Sequence, residues 1–208
     1  IARDTENNKP VFLKEFYPEN GVSRDEDGKT VKTDKEAAMR FKTYKSDFVD
    51  LYQTLQDMEG NIHVEKVYCQ FDELGTSFAV TKKVTGMTLR DFYDRFSATM
   101  KWTVPLQLIR NMLEAVGSLH EGGIIHGMIN PDTVTFDRKG NIVFKDFVLL
   151  KEKETDTTQS GFLAPEQYRN DTFQGVYSDI YAVAACFYFM LTGESPQMQI
   201  AEDDTEVY

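Results

Sequence analysis

Leu119-His120-Glu121-Gly122-Gly123-Ile124-Ile125-His126-Gly127-Met128-Ile129-Asn130-Pro131-Asp132-Thr133 is the stretch on which the reading of this chain turns. Its left end closes a helix. Pro105 opens a segment that carries Leu106, Ile109, Met112, Leu113, Val116 and Leu119 on one face, and Gly122-Gly123 ends it. Its right end leads into short apolar runs, Ile124-Ile125, Thr133–Phe136 and Asn141–Phe144, the last two joined by the tight turn Asp137-Arg138-Lys139-Gly140. A long amphipathic helix thus gives way directly to strands.

Further toward the C-terminus, Lys151 to Ser160 is charged and Thr-rich, a loop by composition. Ser178-Asp179 then caps an apolar helix, Ile180 to Leu191, which is hydrophobic nearly all round and is expected to be buried; Gly193 stops it. In the other direction, Thr88 caps a helix over Leu89–Phe96. The first 85 or so residues read differently. Val11 to Phe16 is a short β-prone run between Pro10 and the turn-rich Pro18-Glu19-Asn20-Gly21, and Asp25 to Asp34 is a polar loop. Phe41, Tyr44, Phe48, Leu51 and Leu55 recur at spacings of three and four within a Gly- and Pro-free segment from Asp34 to Asp57, one stripe of a helix that Asp34 caps. His63 to Phe71 and Ser77 to Lys83 are strands around the turn Asp72-Glu73-Leu74-Gly75.

Composition narrows what such a chain can do. With 208 residues, 41% hydrophobic, 12% aromatic and 27% charged, it has enough apolar mass for one domain or two small lobes. A net charge of −11 repels phosphate backbones and anionic headgroups, so neither nucleic-acid binding nor membrane contact is expected. Cys69 and Cys186 sit in apolar contexts without metal-ligand spacing and read as buried thiols in a reducing compartment. No apolar run is long enough to cross a bilayer, and the start at Ile1 without Met reads as a piece of a longer protein.

The order of segments and several local motifs resemble the protein-kinase fold, in the form common to bacterial serine/threonine kinases. Val11-Phe12-Leu13-Lys14 is similar to the Val-Ala-Ile-Lys strand, Leu119 to His126 to the approach to the catalytic loop, and Asp146-Phe147-Val148 to Asp-Phe-Gly. Gly161-Phe162-Leu163-Ala164-Pro165-Glu166-Gln167-Tyr168 resembles the Ala-Pro-Glu segment, and Ser178-Asp179-Ile180-Tyr181-Ala182 the start of the buried helix after it. The resemblance implies an α+β, bilobal fold: a small β-rich N-lobe over residues 1–84, and a mostly helical C-lobe over residues 85–208. It implies ATP with Mg²⁺ as ligand, with Lys14 on the phosphates, Asp50 as the acid paired to Lys14, the backbone of Lys82, Lys83 and Val84 at the hinge, Thr81 guarding the back of the pocket, and Asp146 on the metal. Outside that context Lys14 reads as a surface lysine on an edge strand, Asp146 as a solvated strand-end acid, and Lys82-Lys83 as an exposed connector.

Within the quoted stretch the mechanistic positions depart from the family. Met128 stands where an aspartate accepts the substrate hydroxyl proton, which a thioether cannot do, and that loss alone removes roughly 10²–10⁴ in rate. Thr133 stands at the metal-holding Asn, and Gly127 replaces the Arg that pairs with a phosphorylated activation segment, where Thr155, Thr157, Thr158 and Ser160 fall. Val148 narrows the backbone choices that Gly has at its place. The resemblance pairs Glu166 with an Arg from helices that would follow this stretch, and places the family's Gly-rich loop before Ile1. The expected function is therefore a catalytically impaired kinase-like domain, a pseudokinase with weak or no ATP binding, that serves as a regulatory or protein-binding module. Its partner would be another protein or another domain of the same longer chain. The alternative is a weak phosphotransferase in which Asp132 or water replaces the base. The expected setting is the cytoplasm, either free or as the cytoplasmic part of a membrane-attached protein.

Overall fold

A computed structural model describes residues 2–5, 8–18, 20–137, 139–147, 161–168 and 173–197; Val148 and the activation-segment residues Thr155, Thr157, Thr158 and Ser160 lie outside them. The N-terminal region is built on a four-stranded antiparallel sheet in the order β1-β2-β6-β5: β1 Ala2–Arg3, β2 Pro10–Glu15, β5 Val67–Glu73 and β6 Thr76–Lys82. The stretch Asp25 to Asp34, read as a polar loop, supplies the turn and the second strand of a two-stranded hairpin, β3 (Val22–Arg24) with β4 (Val31–Thr33). Three-residue strands carry too little alternation to register in sequence. Their turn is closed by Asp27, whose carboxylate accepts from the N–H groups of Lys29 and Thr30 and from the Thr30 hydroxyl.

Helix α1 (Ala38–Asp57) lies on this sheet and starts later than the sequence suggested, with Ala37 and not Asp34 at its N-cap. Its inward residues are Phe48, Tyr52 and Leu55, in step with the 3.6-residue turn, and they pack with Phe16 from the end of β2. Beyond the connector after β6, β7 (Gly86–Thr88) pairs with β8 (Val134–Asp137) and β8 with β9 (Ile142–Phe144). Thr88 caps helix α2 (Leu89–Phe96) by a reciprocal pair of bonds with Asp91.

Helix α3 (Thr103–Glu121) buries Met112, Ala115, Val116 and Leu119 in the cluster that also takes Ala182, Val183, Ala185, Cys186 and Phe189 of helix α4 (Val176–Thr192). Each fully buried side chain of this size contributes about 1.5–3 kcal/mol. Gly193 ends α4 in the left-handed region at φ 81. The all-round burial expected of α4 does not hold among the described residues: Ile180, Tyr188 and Leu191 are 44–54% exposed, so one face of the helix is uncovered. Ser178 and Asp179 sit inside the first turn, after the Gly175 N-cap, and their side chains serve other partners. Of the two thiols, Cys186 is buried and Cys69, on an outward position of β5, is exposed. No helix among the described residues is long and apolar enough to cross a membrane. The architecture is a β-sheet N-terminal region and a helical C-terminal region, α+β and bilobal.

Candidate functional site

Strand β2 places Lys14 opposite Ala79 of the buried strand β6, with the lysine side chain only 18% exposed. Its ammonium donates to the Glu65 carboxylate, lies 3.3 Å from Asp146 Oδ1, and sits 5.8 Å from the centre of the Tyr52 ring. Burial alone would lower the lysine pKa; the Tyr52 ring hydroxyl, Glu65 and Asp146 outweigh it and hold the group above the ordinary lysine range, a permanent cation. The same crowding pushes the Tyr52 hydroxyl, through burial first, up to about 12.

Asp50 does not take part. It is exposed on α1, because a helix that turns Phe48, Tyr52 and Leu55 inward carries a residue two positions from Tyr52 about 200° round to the far side. The acid beside Lys14 comes from the connection between α1 and β5. Glu65, whose side chain is 1% exposed, carries no local signal in the sequence, where it stands between Val64 and Lys66 and reads as one member of a surface charge pair.

Asp146 follows β9 with φ 59, a left-handed conformation that costs a non-glycine residue on the order of 1–3 kcal/mol and that persists where the surroundings enforce it. Next to it the buried Phe147 ring lies 4.6 Å from the His126 ring. His126 has both nitrogens engaged: the Met128 N–H donates to Nδ1, so the proton is on Nε2 and is donated to the Lys145 carbonyl. Burial depresses its pKa to about 4, which keeps the ring neutral and this tautomer in place.

The loop after His126 is held from below by α4. The buried Asp179 carboxylate accepts from the His126 N–H and the Gly127 N–H, each at 2.8 Å, and pairs with His120 Nε2 at 2.9 Å. Gly127 itself is at φ 73, where glycine carries no penalty, and its carbonyl accepts from the buried Gln167 amide. Gln167 also accepts from the Ala164 N–H, so the Ala164-Pro165-Glu166 segment is stitched to the loop. Glu166 accepts from the Ser178 hydroxyl at 2.5 Å.

Above that support the loop's own side chains are turned inward. The Thr133 hydroxyl donates to the Met128 carbonyl at 2.9 Å and accepts from the Asn130 N–H at 3.0 Å. The Asn130 amide oxygen accepts from the N–H groups of Asp132 and Thr133. Asp132 is gripped by the Arg90 guanidinium through three bonds at 2.8, 2.9 and 3.0 Å. Lys14 could thus hold a phosphate and Asp146 a metal, whereas Thr133 offers at most a neutral hydroxyl, with one of its two lone pairs already taken by the Asn130 N–H.

At the connector, Lys82 is exposed and Val84 half-buried, and the Lys82 N–H donates to the Lys66 carbonyl at 2.8 Å. Thr81 is fully buried, and its hydroxyl makes no hydrogen bond among the described residues. A cavity of about 760 Å³ runs along this connector, lined by Lys82, Val84, Glu65, Val67, Tyr68 and Val143 among others, without reaching Lys14 or Asp146.

Comparison with known proteins gives the same family by an independent route. The family model described as "Protein kinase domain" matches residues 2–207. A probable serine/threonine-protein kinase, pknA2 of Bifidobacterium longum, is 30% identical over 146 residues, 65% of this chain and 19% of that protein. PknB of Lactococcus lactis, likewise described as a probable serine/threonine-protein kinase, is 32% identical over 127 residues, 57% of this chain and 20% of its own length. The chain thus spans about a fifth of these curated relatives. Among solved structures, "PpkA-294 apo form" superposes with a TM-score of 0.71 at 22% identity, covering 93% of this chain and 70% of that one, a likeness of fold. The Lys14–Asp146 pairing, the Asp179-supported loop and the match over nearly every residue converge: the chain belongs to the protein kinase domain family.

Proposed function

We propose that this chain is a catalytically impaired kinase-like domain, divided into lobes near Val84, that serves as a regulatory or protein-binding module and keeps at most weak affinity for nucleotide. The family in general uses ATP with Mg²⁺, which here would rest on Lys14 for phosphate charge and on Asp146 for the metal. The observation that carries the reading is the chemistry of the loop after His126. Met128 offers a thioether where a proton must be accepted, Thr133 has its hydroxyl committed to the Met128 carbonyl, and Asp132 is held by Arg90. Loss of a positioned base removes roughly 10²–10⁴ in rate. Loss of one charge-assisted contact, worth about 1.5–3 kcal/mol, weakens nucleotide binding about tenfold to a hundredfold. The partner is a protein or another part of the same longer chain, with a basic surface favoured by the net charge of −11.

The test is transfer of radiolabelled phosphate to generic protein substrates in Mg²⁺ or Mn²⁺. The native chain is expected to be silent, and the pair Met128→Asp with Thr133→Asn to gain activity that Asp146→Asn abolishes. Transfer by the native chain that disappears in Asp146→Asn would overturn the proposal and establish a weak phosphotransferase.

A further inference from the structure

The acid that pairs with Lys14 is carried by a segment that leaves α1 through a turn, the Asn61 N–H donating to the Met58 carbonyl, and then bonds to β9 and α3. Around Glu65, the Phe144 N–H donates to the His63 carbonyl at 2.8 Å, His63 Nδ1 meets the Ile142 carbonyl at 2.9 Å, and Val64 bridges Phe144 in parallel. Asn61 reaches Ser118 of α3 at 3.2 Å. Glu65 is thereby fixed to β9, the strand that leads directly into Asp146, so both carboxylates beside Lys14 belong to one hydrogen-bonded unit. Helix α1, by contrast, presents Phe48, Tyr52 and Leu55 to the interior and offers Lys14 the neutral Tyr52 side chain, ring and hydroxyl, and no carboxylate. Displacing α1 would cost apolar packing and the Tyr52 contact but would break no ion pair to the lysine.

We propose that Glu65 is the positioning residue for Lys14, and that the ion pair holding the Lys14 ammonium beside Asp146 is supplied from outside α1. A partner that docks on α1 leaves that ion pair in place; one that disturbs the seam between residues 61–65 and β9 breaks it. The proposal concerns the free chain and stands whether or not the site transfers phosphate.

Competitive labelling of amines with isotopic acetic anhydride, read peptide by peptide by mass spectrometry, measures it on the whole chain without nucleotide. In the native protein Lys14 should be among the slowest amines. Glu65→Gln should raise its labelling about tenfold or more. Asp50→Gly both removes the exposed acid and loosens α1, which faster amide hydrogen exchange across 38–57 would register. Lys14 should nonetheless stay protected in it, within about twofold of the native rate. Where Glu65→Gln does not melt cooperatively, Glu65→Asp supplies the same comparison with the charge kept and the arm shortened. Unchanged labelling in a folded Glu65 variant, or labelling in Asp50→Gly that rises as far as in Glu65→Gln, would overturn the proposal.

Discussion

A histidine that uses one ring nitrogen as donor and the other as acceptor cannot gain a proton without losing a bond, and His126 is in that position. Its pKa of about 4 in the folded chain lies below the ordinary value of 6.5, so below pH 6.5 the unfolded chain takes up a proton that the folded one refuses. The contribution of the neutral ring is complete above pH 6.5 and drains away as pH falls toward 4, by about 3 kcal/mol across the window. Urea midpoints measured from pH 7 to 4 should therefore fall more steeply for the native chain than for His126→Gln, and parallel curves would refute this account. Other single residues differ in how far sequence reveals them. Lys14 and Asp146 were named from motif resemblance and meet at 3.3 Å across most of the chain. Glu65 was passed over because its partner is distant in sequence, and a buried acid declares itself only when the cation it faces is known.

At the scale of elements, strong periodicity was readable and short or capped features less so. Helix α1 follows from its apolar stripe, α2 from its Thr88 cap, and α3 and α4 from apolar residues and glycine stops, whereas the β3–β4 hairpin hides in a charged stretch and the start of α1 slides past its apparent cap. The exposed face of α4 follows from what packs against it, which no reading of the helix alone contains. Strand β7 offers a quantitative check. A Cβ on Gly86 would stand 1.7 Å from the Phe136 carbonyl oxygen, so β7 and β8 pair only because that atom is missing. Gly86→Ala should cost more than Thr88→Ala, which removes an N-cap worth about 1 kcal/mol. Chemical denaturation of the two variants side by side gives the order, and a smaller loss for Gly86→Ala would contradict the pairing described.

Across the whole molecule, one carboxylate ties the central helix α4 to the loop and to α3. Asp179 takes three donors in a site with 1% exposure, and sequence reading placed it only as a helix cap, since the spatial meeting of α3, the loop and α4 is not written in any local pattern. Asp179→Asn keeps the shape but turns a donor toward donors, an expected loss of about 3 kcal/mol and roughly 6–12 °C in Tm for a chain of this size. Calorimetry that finds the melting point unmoved would show that the loop supports itself. The seam at His63 and Val64 has a mechanical consequence as well. Among the described residues the sheet region is fastened to the helical region at several separate points: the connector from Lys82 to Gly86, the meeting of His63 and Val64 with Phe144, the Asn61–Ser118 bond and the Lys14–Asp146 pair. Fastenings at separate points restrict how one body can tilt on another, so widening the gap between Lys14 and Asp146 must also load the seam at His63.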